Sequence, residues 1–242
     1  MMPMIYLNDV TDNPHVFGER HSLLSRVDFV LPRGRYVLLS QHPQRHRSLI
    51  DVMTGLRSPR SGRVSHAGQV SWPIGRQAFI RGKASGLRMM KLVCALYGIE
   101  YAGCVEFVSD LITSPEYLQR PMEDWPLPMR QEFAFALALV PAFDVYVIEG
   151  VIPFEANRFS RLWLALFEER LVGRTLLLST YRQDQVMDYC TRALVLEEGQ
   201  LRMENDVEAC LKQFPLRRFR VDADHSEEHP LTEDISGENL GI

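Results

Sequence analysis

The sequence predicts an α/β protein built on a parallel sheet, with a block of helices inserted between its strands. Three observations carry this. The runs at Arg35–Ser40, 143–148 and Thr175–Ser179 are short and almost wholly apolar, as strands buried on both faces of a parallel sheet are. Segments with apolar residues at helical spacing alternate with them. Between residues 87 and 140 the spacing is helical throughout, which places several helices between two strands.

Taken in order, residues 35–40 follow the turn Pro32-Arg33-Gly34 and form a β-rich run. Residues 48–54 are apolar at helical spacing and stop at Gly55, giving strand, loop and helix. Pro59, Ser61 and Gly62 mark a turn, and 63–72 reads as a strand pair around Gly68. The helical period holds over 87–97 and 105–112, is broken by Pro115 and the proline-bearing stretch 121–128, and resumes over 129–140. After the strand at 143–148, residues 157–171 form an amphipathic helix whose Trp163 and Phe167 read as core side chains. The strand at 175–179, a helix over 183–190 and a strand over 193–196 repeat the alternation, and Glu198-Gly199-Gln200 is a hairpin turn.

With 242 residues, 46% apolar and 24% charged, the chain has material for one sizeable core. Of 27 basic residues only Lys83, Lys91 and Lys212 are lysines. The net charge of -4 is uneven: beyond Arg220 lie seven acidic residues and no Lys or Arg, so the preceding body is slightly basic. Residues 222–242 read as an acidic, disordered tail. The mild charge and lack of a reading helix exclude nucleic acid as a partner. No apolar run approaches the roughly 20 residues of a membrane span, so membrane contact is expected to be peripheral, from the cytoplasmic side. Cys94, Cys104, Cys190 and Cys210 have no metal-knuckle or redox spacing; neither a metal site nor a cofactor is expected.

Four local strings, in this order and spacing, make the chain resemble the ATPase subunit of ATP-binding-cassette transporters, in the branch that exports capsular polysaccharide. They are Leu31-Pro-Arg-Gly34, Ser58-Pro-Arg-Ser-Gly62, Val70-Ser-Trp-Pro-Ile-Gly75 and Phe143-Asp-Val-Tyr-Val-Ile148, with Ser-Trp-Pro the most specific. The resemblance spans about residues 4–205. It implies a P-loop NTPase-like fold with an antiparallel β subdomain and a helical subdomain at about 82–141, in one domain over 1–221.

The family's site residues map onto altered positions. The phosphate-binding loop should read Gly, four residues, Gly, Lys, then Ser or Thr, so that backbone N–H groups curl around phosphate and the Lys reaches it. This chain reads Gln41-His-Pro-Gln-Arg-His-Arg-Ser48. Gln41, Gln44 and His46 displace glycines, Arg47 stands for the lysine, and Ser48 alone is kept. The family's glutamine falls at Arg81. The serine-glycine signature is replaced by Pro126, Leu127 and Pro128. The carboxylates that follow the apolar strand for magnesium and water become Glu149 and Gly150, a later Asp becomes Ala156, and the switch histidine becomes Thr180. Pro14 takes the place of the adenine-stacking aromatic, with Phe17 nearby.

Since losing one catalytic base or one charge-stabilising donor typically costs about 10² to 10⁴ in rate, these changes together predict a pseudo-ATPase without hydrolysis. On this reading it is a scaffold or regulator in capsular or exopolysaccharide synthesis or export, docking a protein partner through Trp72, Pro73 and Arg81 and open to homodimerisation. The alternative is a nucleotide-binding subunit of a polysaccharide exporter with an unconventional ATP site, in which Arg47, Ser48 and Glu149 hold the ligand.

Overall fold

A computed structural model describes residues 3–13, 15, 16, 19, 20, 22–76 and 82–216. Its strands are β1 (Pro3–Asp12), β2 (His15–Val16), β3 (Glu19–Arg20), β4 (Leu24–Pro32), β5 (Arg35–Ser40), β6 (Ser61–His66), β7 (Val145–Glu149), β8 (Thr175–Ser179), β9 (Arg192–Glu197) and β10 (Gln200–Glu204). The helices are α1 (His46–Met53), α2 (Gly86–Tyr97), α3 (Tyr101–Leu111), α4 (Leu127–Ala138), α5 (Arg158–Leu171), α6 (Gln183–Tyr189) and α7 (Val207–Gln213).

A five-stranded sheet in the order β10-β9-β5-β8-β7 is parallel except for β10, and an antiparallel sheet runs β4-β1-β6. Alternation along the central strands divides the apolar residues between two cores. Tyr36, Leu38, Val145, Val147 and Leu177 face the antiparallel sheet and α1, while Val37, Leu39, Tyr146, Ile148 and Leu178 face the helices α2 to α7. Both faces are covered, which is why the strands lack polar alternation.

The central strand predictions hold, with Arg35–Ser40 and Thr175–Ser179 matched residue for residue. Helix α5 starts one residue later than expected because Asn157 caps it, its side chain accepting from the Ser160 N–H at 2.7 Å, a usual N-cap arrangement. The strand pair around Gly68 is corrected: β6 pairs with β1, whereas the chain after Gly68 crosses to the other sheet. Gly68 is a point of close approach, since a Cβ there would come within 2.4 Å of Asp144 Oδ2.

Residues 69–74 form an irregular seam along β7, the outer strand of its sheet. Gln69 O accepts from the Asp144 and Val145 N–H groups, Ser71 donates its N–H to Val145 O, and Ile74 donates to Val147 O. Where a backbone acceptor is out of reach, the Ser71 hydroxyl takes the Val147 N–H at 2.8 Å. Pro73, which has no N–H to give, is accommodated because the seam is not a regular ladder. The specificity of the Ser-Trp-Pro string thus has a structural cause.

The four cysteines are buried free thiols, and no helix among the described residues is long and apolar enough to cross a membrane. The acidic stretch 222–242 lies outside the described residues.

Candidate functional site

The candidate site is built at the C-terminal ends of β5, β7 and β8, the end where parallel α/β sheets carry ligands. Helix α1 begins two residues earlier than its apolar period suggests, because the loop before it is already a 3₁₀ turn over Pro43–Arg45. Arg45 donates its N–H to His42 O at 2.9 Å, and the His46 N–H goes to Pro43 O. These donors are spent inside the turn. His46 is buried, with Nε2 at 2.9 Å from Ser40 Oγ and Nδ1 at 3.0 Å from Ser179 Oγ. One imidazole thereby ties the loop to the ends of β5 and β8. Burial lowers the His46 pKa to about 4, so the ring is neutral at pH 7, one nitrogen donating and the other accepting. Gln41 and Arg47 are exposed, and Gln44, Arg45 and Ser48 half-buried.

Below this loop, Arg76 bridges two carboxylates. Its side chain is only 8% exposed; Nε donates to Glu149 Oε2 at 2.7 Å, Nη2 donates to the same oxygen, and Nη1 donates to Asp51 Oδ1 at 2.5 Å. Asp51 stands one turn beyond Ser48 on α1, and Glu149 ends β7, so the guanidinium joins helix to strand. In P-loop ATPases those are the elements whose Ser and Asp hold magnesium. The arrangement does not fit a divalent ion: Glu149 is engaged twice by Arg76, and the carboxylate that could join it is engaged as well. Neither Arg76 nor Asp51 is apparent as a site residue from the sequence. The only signal is a charged residue directly after the seam that edges β7.

Gly150 has φ +129° and donates its N–H to Ser179 O at 2.9 Å. That conformation suits glycine and would strain a glutamate placed on this backbone. Beyond it, Ile152 is held by Gln185 of α6, whose Oε1 accepts from the Ile152 N–H at 3.0 Å and whose Nε2 donates to Ile152 O at 2.8 Å. Gln185 is itself buried. Replacing it with Leu leaves both Ile152 backbone groups without their partner; we expect a loss of about 2 kcal/mol in unfolding free energy by urea titration. An unchanged midpoint would remove this clamp from the account.

Ala156 is exposed, and Thr180 is half-buried, its hydroxyl accepting from the Arg182 N–H at 3.3 Å. Pro126, Leu127 and Pro128 are exposed at the start of α4. Of the predicted site residues, Leu127, Pro128 and Gly150 come together, with Arg76, around a cavity of about 480 Å³. Gln41 lines a separate cavity of about 260 Å³ beside Ser40 and Arg45. Of the docking residues expected at 72–81, Pro73 is buried, and half-buried Trp72 packs edge-on against Phe143 at 5.3 Å and beside Tyr97. Phe143, just before β7, and Tyr97 of α2 draw Trp72 inward. Arg81, Pro14 and Phe17 lie outside the described residues.

No family model matches the chain. It is 27% identical over 213 residues to the ATP-binding protein BexA of Haemophilus influenzae, covering 87% of this chain and 98% of that protein. It is 25% identical to the capsule polysaccharide export ATP-binding protein CtrD of Neisseria meningitidis, covering 80% of this chain and 90% of that protein. To the polysialic acid transport ATP-binding protein KpsT of Escherichia coli it is 23% identical, covering 87% and 98%. Among solved structures, the ATP-binding subunit of an ABC transporter superposes with a TM-score of 0.62 at 18% identity, over 90% of this chain and 96% of that one. A dimeric ATP-binding cassette in a post-hydrolysis state, bound to ADP and Pi, superposes with a TM-score of 0.64 at 15% identity, over 89% of this chain and all of that one.

These comparisons overturn the expectation of a pseudo-ATPase. The relatives, each matched over 90% or more of its length, are named ATP-binding proteins. The expectation weighed the motif positions alone and left out the arrangement in which Arg76 joins Asp51 to Glu149. The chain has the fold of the ATP-binding-cassette ATPases and in sequence resembles the ATP-binding proteins of capsule polysaccharide export.

Proposed function

We propose that this chain is the nucleotide-binding subunit of a polysaccharide exporter, working at the inner face of the membrane, and that it takes ATP at an unconventional site. The observation that supports this most is the extent of the likeness to the three export proteins, each matched over 90% or more of its length. In the proposed site, Arg45 and Arg47 beside the N-terminus of α1 supply the cationic anchors that glycine N–H groups and a lysine supply elsewhere. Guanidinium groups match phosphate bidentately, and the helix terminus adds its dipole. Ser48 remains as a hydroxyl partner, with Gln41 and Gln44 at the rim. Leu127 and Pro128 at the start of α4, with Gly150, Ala156 and Thr180, form the face that a second ATPase subunit would meet. One fold neighbour is part of an ABC transporter complex and another is dimeric, which supports assembly with membrane subunits and pairing of two such chains.

Calorimetric titration of the purified chain with ATP tests the site. We expect saturable binding at or below about 1 mM, weakened about 10-fold by Arg47→Ala through loss of a charge-assisted contact. Absence of binding at several times that concentration, or binding indifferent to both Arg47→Ala and Arg45→Ala, would overturn the proposal.

A further inference from the structure

We propose that Arg76 is a tethered cation, occupying the place between α1 and β7 that a divalent ion would otherwise fill, so that the chain binds its nucleotide with no metal held between protein and phosphate. The last clause rests on the function proposed above; the first stands on geometry alone. Two carboxylates from elements far apart in the chain, Asp51 and Glu149, converge on one nearly buried guanidinium. Partly buried like charges repel unless a cation lies between them, and here that cation is supplied by a side chain: Arg76 is 8% exposed, Asp51 23% and Glu149 21%. Arg76 is also covalently placed: it follows Gly75, whose φ of +89° turns the chain out of the β7 seam, and a Cβ on Gly75 would come within 2.8 Å of Glu149 O. The turn therefore carries Arg76 up to Glu149. Arg remains charged under any physiological condition, so the position is filled permanently.

The assignment makes a prediction that no merely structural ion pair makes. Removing the guanidinium and keeping the carboxylates turns the triad into a divalent site, because carboxylate oxygens are the ligands such ions take. Manganese, followed by loss of the free-ion electron paramagnetic resonance signal and by thermal melting, is the probe. Wild-type protein is expected to bind no Mn²⁺ at this place. Arg76→Gln is expected to lower the melting temperature by about 10 °C, as breaking a buried pair does, to bind Mn²⁺ saturably, and to recover most of that loss when it does. Arg76→Lys keeps the charge and should stay indifferent to Mn²⁺. The triple variant Arg76→Gln, Asp51→Asn, Glu149→Gln should also be indifferent, which ties the recovery to the two carboxylates. In the wild-type protein, ATP affinity should be equal in EDTA and in excess Mg²⁺.

Saturable Mn²⁺ binding by the wild type that is lost in the Asp51→Asn, Glu149→Gln double variant would overturn the assignment. So would an Arg76→Gln protein that stays folded and neither binds Mn²⁺ nor is stabilised by it, or ATP binding by the wild type that collapses in EDTA. If the exchange of guanidinium for Mn²⁺ holds and ATP does not bind under any condition, the proposed function fails while the tethered cation stands.

Discussion

Trp163→Ala is expected to lower the free energy of unfolding by about 3–5 kcal/mol, the range for emptying a buried aromatic site. Trp163 is fully buried, stacks on Phe167 with ring centroids 4.5 Å apart, meets Phe135 edge-on at 5.1 Å, and donates Nε1–H to Phe135 O at 2.8 Å. Truncation removes the packing and also strands a buried carbonyl at the end of α4. Because Phe135 also borders the larger cavity, the change should loosen that wall; hydrogen exchange in α4 should accelerate more than in β1 or β4, which belong to the other core. Trp163→Phe keeps most of the ring stacking and should recover at least half of the loss. Chemical denaturation of the two variants checks this. A loss below about 1 kcal/mol for the alanine variant would mean that the helix face is not the core contact described.

The second large effect is acid sensitivity centred on His46. Its folded pKa, about 4, lies below its ordinary value of 6.5 because burial disfavours the cation. Between those values the unfolded chain binds a proton that the folded chain refuses. Stability is therefore full above pH 6.5, falls as pH drops toward 4, and levels off below that, with a total change of about 3 kcal/mol. Glu100 and Asp184 have pKa values lowered, the first by backbone N–H groups of Gly103 and Ala102, the second chiefly by Arg182. Their contributions are lost in the same direction but below about pH 5, so the slope between pH 5 and 6.5 isolates the histidine. Denaturation midpoints at half-unit pH steps should show that slope in the wild type and lose it in His46→Gln. A slope that survives the substitution assigns it to another group.

The central strands were legible because burial on both faces leaves their interiors without a polar residue for context to override: 35–40 and 175–179 carry polar residues only at their ends. Helix α5 announced itself through its apolar side, while the cap at Asn157 that sets its start was read as its first residue. The crossing at Gly68 was not legible, since a glycine between two short extended runs reads as a hairpin until it is known that the second run edges a strand some 75 residues ahead. The site was harder still. His46 stood out in the sequence only as a residue in place of a glycine, because its partners Ser40 and Ser179 are set by the fold and one lies 133 residues away. Arg76 was one of many arginines, and only the convergence of α1 and β7 marks it out. Motif reading tracks what a familiar position has lost, and side chains arriving from elsewhere leave no trace in it.

The seam of residues 69–74 bears on how the molecule is made. Until it docks, β7 offers water an unpaired margin of Val145, Tyr146, Val147 and Ile148, the kind of edge that recruits other chains into aggregates. Ribosomal synthesis delivers the covering segment first, so the margin emerges with its cover already at hand. Refolding from denaturant abolishes that order of arrival and should give the poorer yield, most visibly when protein concentration is raised.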